Sequence, residues 1–282
     1  MPYSPVDLYR DILPKTNCGD CGYRTCLAFA SMVVSEKLPV ANCPYVDAPT
    51  ATEVQQELDK QHAAGKWVKR DMAKDALVWA RERAASMDIE KLPDRIGGEL
   101  AQTDGEPTLR LPYFTGHILI TDSGIKPEKE GAILNRWEQV FIYNHLAQGG
   151  SVSPRGKWRA LEQIPNTISK TKSMRAHVEA PLTNRFQAKA QELRRCGASL
   201  GAEDLTEQEG NADAVLLFRP LPKIPVILRF WDAEPEEGFE ARAHLLFDET
   251  ITEHLDVESI LFLSERIREL LCDTADGKPF PF

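Results

Sequence analysis

Four of the six cysteines, Cys18, Cys21, Cys26 and Cys43, fall within the 26-residue stretch "CGDCGYRTCLAFASMVVSEKLPVANC", spaced C-x2-C-x4-C-x16-C. Thiols grouped in this way can pair as disulfides, hold a zinc ion or hold an iron–sulfur cluster. Structural zinc usually takes two C-x2-C knuckles, or one knuckle and a histidine pair. Here there is one knuckle, and no histidine lies in the segment. An iron–sulfur cube is larger than a single ion. It accepts ligands from a tight turn, a helix N-terminus and the return from that helix's far end, and all-cysteine ligation is its usual state. The spacing therefore favours a cluster, with zinc, disulfides and free thiols as the other readings.

The neighbouring residues suit the same chemistry. Gly19 and Gly22 let backbone N–H groups come close to a bound group because no side chain blocks them. Cys26 opens the helical run "CLAFASMVVSEK", where the helix dipole favours negative charge. That run is apolar nearly all round, which predicts a buried helix ending at Pro39, with Leu27, Phe29, Ala30 and Val33 excluding water from one side. Pro44 follows the last cysteine and keeps the chain from folding back over it.

The stretch "LPKTNCGDCGYRTCLAFA" followed by "ANCP" resembles the N-terminal [4Fe–4S] domain of the corrinoid iron–sulfur protein large-subunit family, and is similar to the cluster module of Rnf-type B subunits. The resemblance covers residues 8–46. It implies that Cys18, Cys21, Cys26 and Cys43 are the ligands of one [4Fe–4S] cluster. In the corrinoid family such a cluster supplies a low-potential electron that restores Co(I) from Co(II). The remainder departs from that family, for it shows neither eight βα alternations nor the length of a TIM barrel plus a corrinoid domain. From about 115 to 272 the chain resembles an uncharacterised bacterial and archaeal domain family that recurs behind this cluster motif. The stretches that carry this are "GKWRALEQIPNTISKTKSMRAHVEAPL", "IPVILRFWDAEPEEGFEARAHLLFDETI" and "LDVESILFLSERI". That family has no established activity to transfer.

Outside the cysteines the chemistry is sparser. No phosphate-binding glycine loop, dinucleotide fingerprint or nucleophile elbow is present. The six histidines are scattered and read as structural or exposed, and Cys196 and Cys272 read as small hydrophobes on helix faces. "SPRGKWR" and "SKTKSMRAH" mix Gly, Ser, Thr, Lys and Arg. They offer Lys157, Trp158, Arg159, Lys170, Lys172 and Arg175 as a candidate binding set for an anionic or flat cofactor, against the plainer reading of a solvated basic loop. Asp232, Glu234, Glu236 and Glu237 read as an exposed acidic turn.

A formal charge of −9 argues against backbone-driven nucleic-acid binding. The charge is uneven: residues 154–195 carry ten Lys/Arg against three Glu (net +7), and 197–282 carry nineteen Asp/Glu against seven Lys/Arg (net −12). No run of 18 apolar residues exists, so no membrane span is expected. The N-terminus lacks the apolar core of a secretory signal, and the expected compartment is a reducing cytoplasm.

The elements that must position these residues follow from periodicity and punctuation. Ser4-Pro5-Val6-Asp7 starts a helix that stops at Leu13, and Thr50-Ala51-Thr52-Glu53 resembles a capping box opening a long helical stretch towards Met87, broken near Gly65. Residues 88–112, rich in Gly and Pro, read as an irregular boundary. A strand is expected at Ile118–Thr121, a helix from Pro127 to Gly149-Gly150 with a core face at Ile133, Leu134, Trp137 and Phe141, and another from Glu179 to Cys196 stopped by Gly197. "DAVLLFRP", "IPVILRFW" and "FEARAHLLFD" read as an antiparallel meander, and Asp256 caps a last amphipathic helix. The expected fold class is α+β. The expected division is a helical iron–sulfur domain over 1–48, a helical and irregular linker region over 49–112, and helices packed on a meander over 113–282.

The leading functional expectation is one-electron transfer to a redox partner or bound cofactor, by resemblance a corrinoid protein, with no catalytic residues of its own. The alternatives are a redox enzyme whose C-terminal domain binds substrate or corrinoid, and a structural or sensing cluster protein.

Overall fold

The structure, a computed structural model, describes residues 3–66, 71–103, 105–234, 236 and 238–281. The chain divides into two compact units, Met1–Met72 and Ala73–Phe282.

The first unit is helical. α1 (Pro5–Asp7) runs into a π turn over Leu8–Ile12 and ends at Leu13, as expected. Ser4 and Asp7 close a reciprocal capping box. α2 (Cys26–Glu36) is capped by Thr25, whose hydroxyl accepts from the Ala28 N–H, and ends on Lys37 at φ +56°. It buries the stripe Cys26, Phe29, Ala30, Val33 and Val34, while Leu27 and Ala28 are exposed. The apolar run is thus buried on one face rather than all round. α3 (Ala48–Ala63) starts at Asp47, whose carboxylate takes the Thr50 N–H, so the cap lies three residues before the expected Thr50. Ala51, Val54 and Leu58 join the α2 stripe in one small core with Leu8, Leu13, Val40 and Cys43. Val40 donates its N–H to Gln55, and the His62 ring donates to the Val34 carbonyl at 2.8 Å. The expected break near Gly65 is present (φ +73°). Residues 67–70 of the expected long helical stretch lie outside the described residues.

The second unit is α+β. α4 (Met72–Ala84) and α5 (Leu92–Ile96) precede a four-stranded antiparallel sheet of β1 (Glu99–Thr103), β2 (Glu106–Tyr113), β3 (Gly116–Thr121) and β4 (Gly124–Pro127) in that order. The stretch 88–112 is therefore no irregular boundary. Its glycines end α5 and turn the β1–β2 hairpin, and Pro112 lies beyond the last β1 partner pair, Glu99 with Arg110, so its missing N–H breaks no β1 bond. The proposed linker region divides in the same way: α3 packs in the first unit's core, whereas Leu92, Ile96, Leu109 and Leu111 belong to that of the second.

α6 (Arg136–Gln148) begins at Asn135, not Pro127, which closes β4. Ile133 lies outside the helix and is exposed. Val140 to Leu146 are all buried, so α6 is enclosed on several sides and its core side could not be found from one apolar stripe. β5 (Trp158–Ala160) leads to α7 (Ile168–Met174), a π turn over Arg175–Glu179, and α8 (Ala180–Phe186). The chain breaks at Ala188 (φ +60°) before α9 (Ala190–Ser199), so the expected 179–196 helix is two helices. Gly197 lies within α9 instead of ending it.

β6 (Glu203–Asp204) and α10 (Thr206–Glu209) precede the meander of β7 (Ala214–Leu221), β8 (Ile224–Trp231) and β9 (Arg242–Asp248). The five-stranded antiparallel sheet has the order β5-β9-β8-β7-β6. Leu216, Leu228 and Leu245 stand side by side across it and face the main core. Val215, Leu217, Ile227 and Leu246 face the other way into a smaller cluster with Ala160 and Trp158. Both faces are covered, which is why these strands are near-continuous apolar runs. Pro220 and Pro225 lie inside strand ends, within the segment where the register shifts between the Phe218–Val226 and Leu221–Ile224 pairs. α11 (Val257–Ala275), capped by Asp256 as expected, packs on α6, α7, α8 and α9. Among the described residues no helix is long and apolar enough to cross a membrane.

Candidate metal centre

Each of the four clustered cysteines has a separate structural origin. Cys18 and Cys21 lie on the loop between the π turn and α2, Cys26 is the first residue of α2, and Cys43 follows the short turn Val40–Asn42. Cys26 and Cys43 are buried and Cys21 packs against the same core, whereas Cys18 is exposed. No cysteine is in a disulfide.

The loop owes its shape to residues that tolerate positive φ. Asn17 (φ +51°), Gly19 (φ +86°) and Gly22 (φ +87°) curl it, and the Gly22 N–H bonds the Gly19 carbonyl at 2.8 Å. The Asn17 side chain accepts the Cys26 N–H at 2.9 Å, tying the C-x2-C turn to the start of α2. The Tyr45 hydroxyl donates to Asp20 at 2.6 Å, tying the same turn to the chain just beyond Cys43. That hydrogen bond, with the charge of the Asp20 carboxylate, raises the Tyr45 hydroxyl pKa above its ordinary range.

The N–H groups of Cys18, Gly19, Asp20, Cys21 and Tyr23 have no acceptor among the described residues, and a Cβ at Gly19 or Gly22 would meet no atom within 4 Å. Four thiolates around one zinc ion stand about 3.8 Å apart. Among the described residues no three Cys, His, Asp or Glu side chains are grouped closely enough to hold a single metal ion. Cys26 and Cys43 in a small core, Cys21 packed against it and Cys18 on the exposed loop, beside N–H groups with no acceptor, are a donor set suited to an iron–sulfur cluster.

The other candidates separate. Lys157 and Arg159 both reach Glu249, at 3.6 and 3.9 Å, as does Arg155 at 3.1 Å. The Arg155 hydrogen bond, then Lys157 and Arg159, hold the Glu249 carboxyl below its usual range. Buried Asp248 organises the adjoining loop by accepting the N–H groups of Arg155, Gly156 and Thr250. Trp158 pairs with Asp248 in the sheet and packs on the smaller cluster. Lys170 instead pairs with Glu258, and Lys172 and Arg175 are exposed on the following turns. No hydrogen bond or ion pair among the described residues joins the two groups. Charge spacing alone did not reveal Glu249 as the answering carboxylate.

All six histidines engage backbone carbonyls or charged side chains. His62, His145 and His254 bond carbonyls, His117 contacts Arg110 and Glu128, His177 contacts Glu265, and His244 contacts Glu179. Burial pushes the Cys196 and Cys272 thiols up, as befits small core residues. In the acidic turn Asp232 takes the Ala188 N–H and Glu234 pairs with Phe239 across a tight bridge, while Glu237 lies outside the described residues. Sequence reasoning missed Asn17, Asp20 and Tyr45. The available signals were an asparagine directly before the knuckle and a tyrosine directly after the "CP" pair.

Comparison with known proteins finds two separate matches. Residues 13–45 match a family model described as an Fe-S cluster, and residues 88–269 match one described as a domain of unknown function, DUF3786. The chain is 50% identical over 46 residues to the corrinoid/iron-sulfur protein large subunit of Moorella thermoacetica, covering 16% of this chain and 10% of the relative. It is 41% identical over 46 residues to the acetyl-CoA decarbonylase/synthase complex subunit gamma of Methanocaldococcus jannaschii, covering 16% of this chain and 9% of the relative. To subunit gamma 2 of that complex from Methanosarcina mazei it is 46% identical over 146 residues, 52% of this chain and 27% of the relative. The chain thus spans about a quarter or less of the length of these curated relatives. No solved structure matches. Because the second match takes in well over half of the residues, the protein belongs to the DUF3786 family, with an Fe-S cluster segment ahead of that domain.

Proposed function

We propose that the chain is an electron-transfer protein in which Cys18, Cys21, Cys26 and Cys43 hold one [4Fe–4S] cluster that passes single electrons to a partner, a corrinoid protein in the first instance. The observation that carries this is the placement of Cys26 and Cys43 in one small core with Cys21 packed against it and Cys18 on the exposed adjoining loop, where the N–H groups of Cys18, Gly19, Asp20, Cys21 and Tyr23 have no acceptor among the described residues. Hydrogen bonds to cluster sulfurs and burial are the means by which a protein sets the potential of such a centre. The similarity of the same segment to the corrinoid/iron-sulfur protein large subunit supports the choice of partner. Exposed Cys18 marks the edge nearest solvent, the shortest path for an electron to leave.

Anaerobic purification tests the reading. About four irons and four sulfides per chain, with broad visible absorption that bleaches on reduction, are expected. Cys43→Ala should lose iron, whereas Cys196→Ala should retain it. The reduced protein should speed conversion of a Co(II) corrinoid protein to Co(I). Zinc in place of iron would remove the cluster, and unchanged cobalt reduction would remove the partner.

A further inference from the structure

The second unit contains a cleft of about 360 Å³ between the end of α4, the β3–β4 turn and α6. That volume is at the lower end of the range for small-molecule sites. Its floor is apolar: Ile89, Leu92, Ile120 and Leu146. Its mouth is polar, with Arg81 from α4, Tyr143 from α6, and Thr121 and Ser123 from the turn.

The mouth is held in shape from three sides. The Arg81 guanidinium lies over the Tyr143 ring, 5.6 Å from its centre, and reaches Gln139 Oε1 at 3.4 Å, with no carboxylate within 4 Å among the described residues. The Thr121 and Ser123 hydroxyls bond each other at 2.6 Å. Gly124 (φ +148°) brings the turn alongside Tyr143, whose hydroxyl would stand 3.6 Å from a Cβ at that position. A guanidinium positioned by a ring face and an amide, without an anionic partner, beside hydroxyls and over an apolar floor, is complementary to a carboxylate on a short apolar body. Asp122 also lines the cleft, and its charge works against any anion there, twice as strongly against one of charge two as against a monocarboxylate.

We propose that this cleft is a binding site for a small monocarboxylate, the carboxylate on Arg81 and the turn hydroxyls, the hydrocarbon body on Ile120, Leu92 and Leu146. It is independent of the metal centre.

Hexanoate, 1-hexanol and inorganic phosphate serve as probes against the full chain, by calorimetry or ligand-observed NMR. Saturable hexanoate binding is expected, with hexanol and phosphate each at least about ten-fold weaker, the scale of one charge-assisted contact. Arg81 is exposed on α4, and Arg81→Met keeps the stem of the side chain. That variant should lose at least about ten-fold in hexanoate affinity with hexanol unchanged. Ser123→Ala, on the exposed turn, should weaken hexanoate by a smaller factor. Absence of saturable hexanoate binding, phosphate binding as tight as hexanoate, or Arg81→Met binding hexanoate like the parent would each overturn the proposal.

Discussion

Tyr45 and Asp20 are joined by a 2.6 Å hydrogen bond across 25 residues of sequence, and the bond closes the cysteine loop on itself. Asp20 sits between Cys18 and Cys21, and Tyr45 sits two residues beyond Cys43, so one contact links the first half of the thiol set to the last member. Tyr45→Phe keeps the ring and removes the link. On anaerobically prepared protein, iron transfer to a chelator should then run about two- to five-fold faster, the scale of one partly exposed hydrogen bond. An unchanged transfer rate would show that the loop closes without it.

His145 and His254 form a buried pair with ring centres 5.8 Å apart. The His145 Nδ1–H donates to the His254 carbonyl, and the His254 Nε2–H donates to the Val152 carbonyl. The remaining nitrogen of each ring is buried without a partner. Burial, with Arg95 and Lys223 nearby, lowers the His145 pKa to about 3, and burial lowers that of His254 too. A histidine unfolds to its ordinary value near 6.5. Between about 6.5 and 3 the unfolded chain therefore binds more protons than the folded one, and stability falls as pH falls. The slope is about 1.4 kcal/mol per pH unit for each such group. His145→Gln, whose amide can still donate to the His254 carbonyl, should flatten the slope by about one proton when urea unfolding is followed from pH 7 to 5.

Glu138 is 1% exposed and accepts from the Tyr113 hydroxyl, the Arg266 Nε–H and the Asn135 N–H. Burial raises its carboxyl, and Arg266 opposes the rise. Arg266→Met would leave this carboxylate without its counter-charge at a cost of about 3–5 kcal/mol. The carboxyl would rise further and bind protons more readily folded than unfolded, so the loss should grow as pH climbs above the ordinary glutamate range. Urea midpoints at pH 5 and pH 8 test this, and a loss equal at both would contradict it.

Gly197 is required for close packing rather than for a helix stop. A Cβ there would stand 2.6 Å from Leu216 Cδ1. Gly197→Ala gains helix propensity yet should destabilise by about 1–3 kcal/mol through overpacking. Gly197→Ala combined with Leu216→Ala should recover part of that loss, and additive losses in thermal unfolding would refute the contact.

The sequence by itself determined whatever depends on short-range order. The thiol spacing, the caps at Ser4 and Asp256, the meander and the break at Gly65 all follow from residues a few positions apart, whose local preferences the fold leaves intact. Only the tertiary structure decided the elements that answer to distant neighbours. Residues 88–112 are Gly- and Pro-rich in isolation, yet β2 is held between β1 and β3 with Leu109 and Leu111 in the main core, and burial outweighed composition. α6 is enclosed on several sides, so a one-sided apolar stripe could not describe it. The candidate centre divides along the same line. Thiol chemistry was legible because ligand spacing is a local property, whereas the carboxylate that meets Lys157 and Arg159, the partner of Tyr45 and the walls of the Arg81 cleft come from elements dozens of residues apart that only packing brings together.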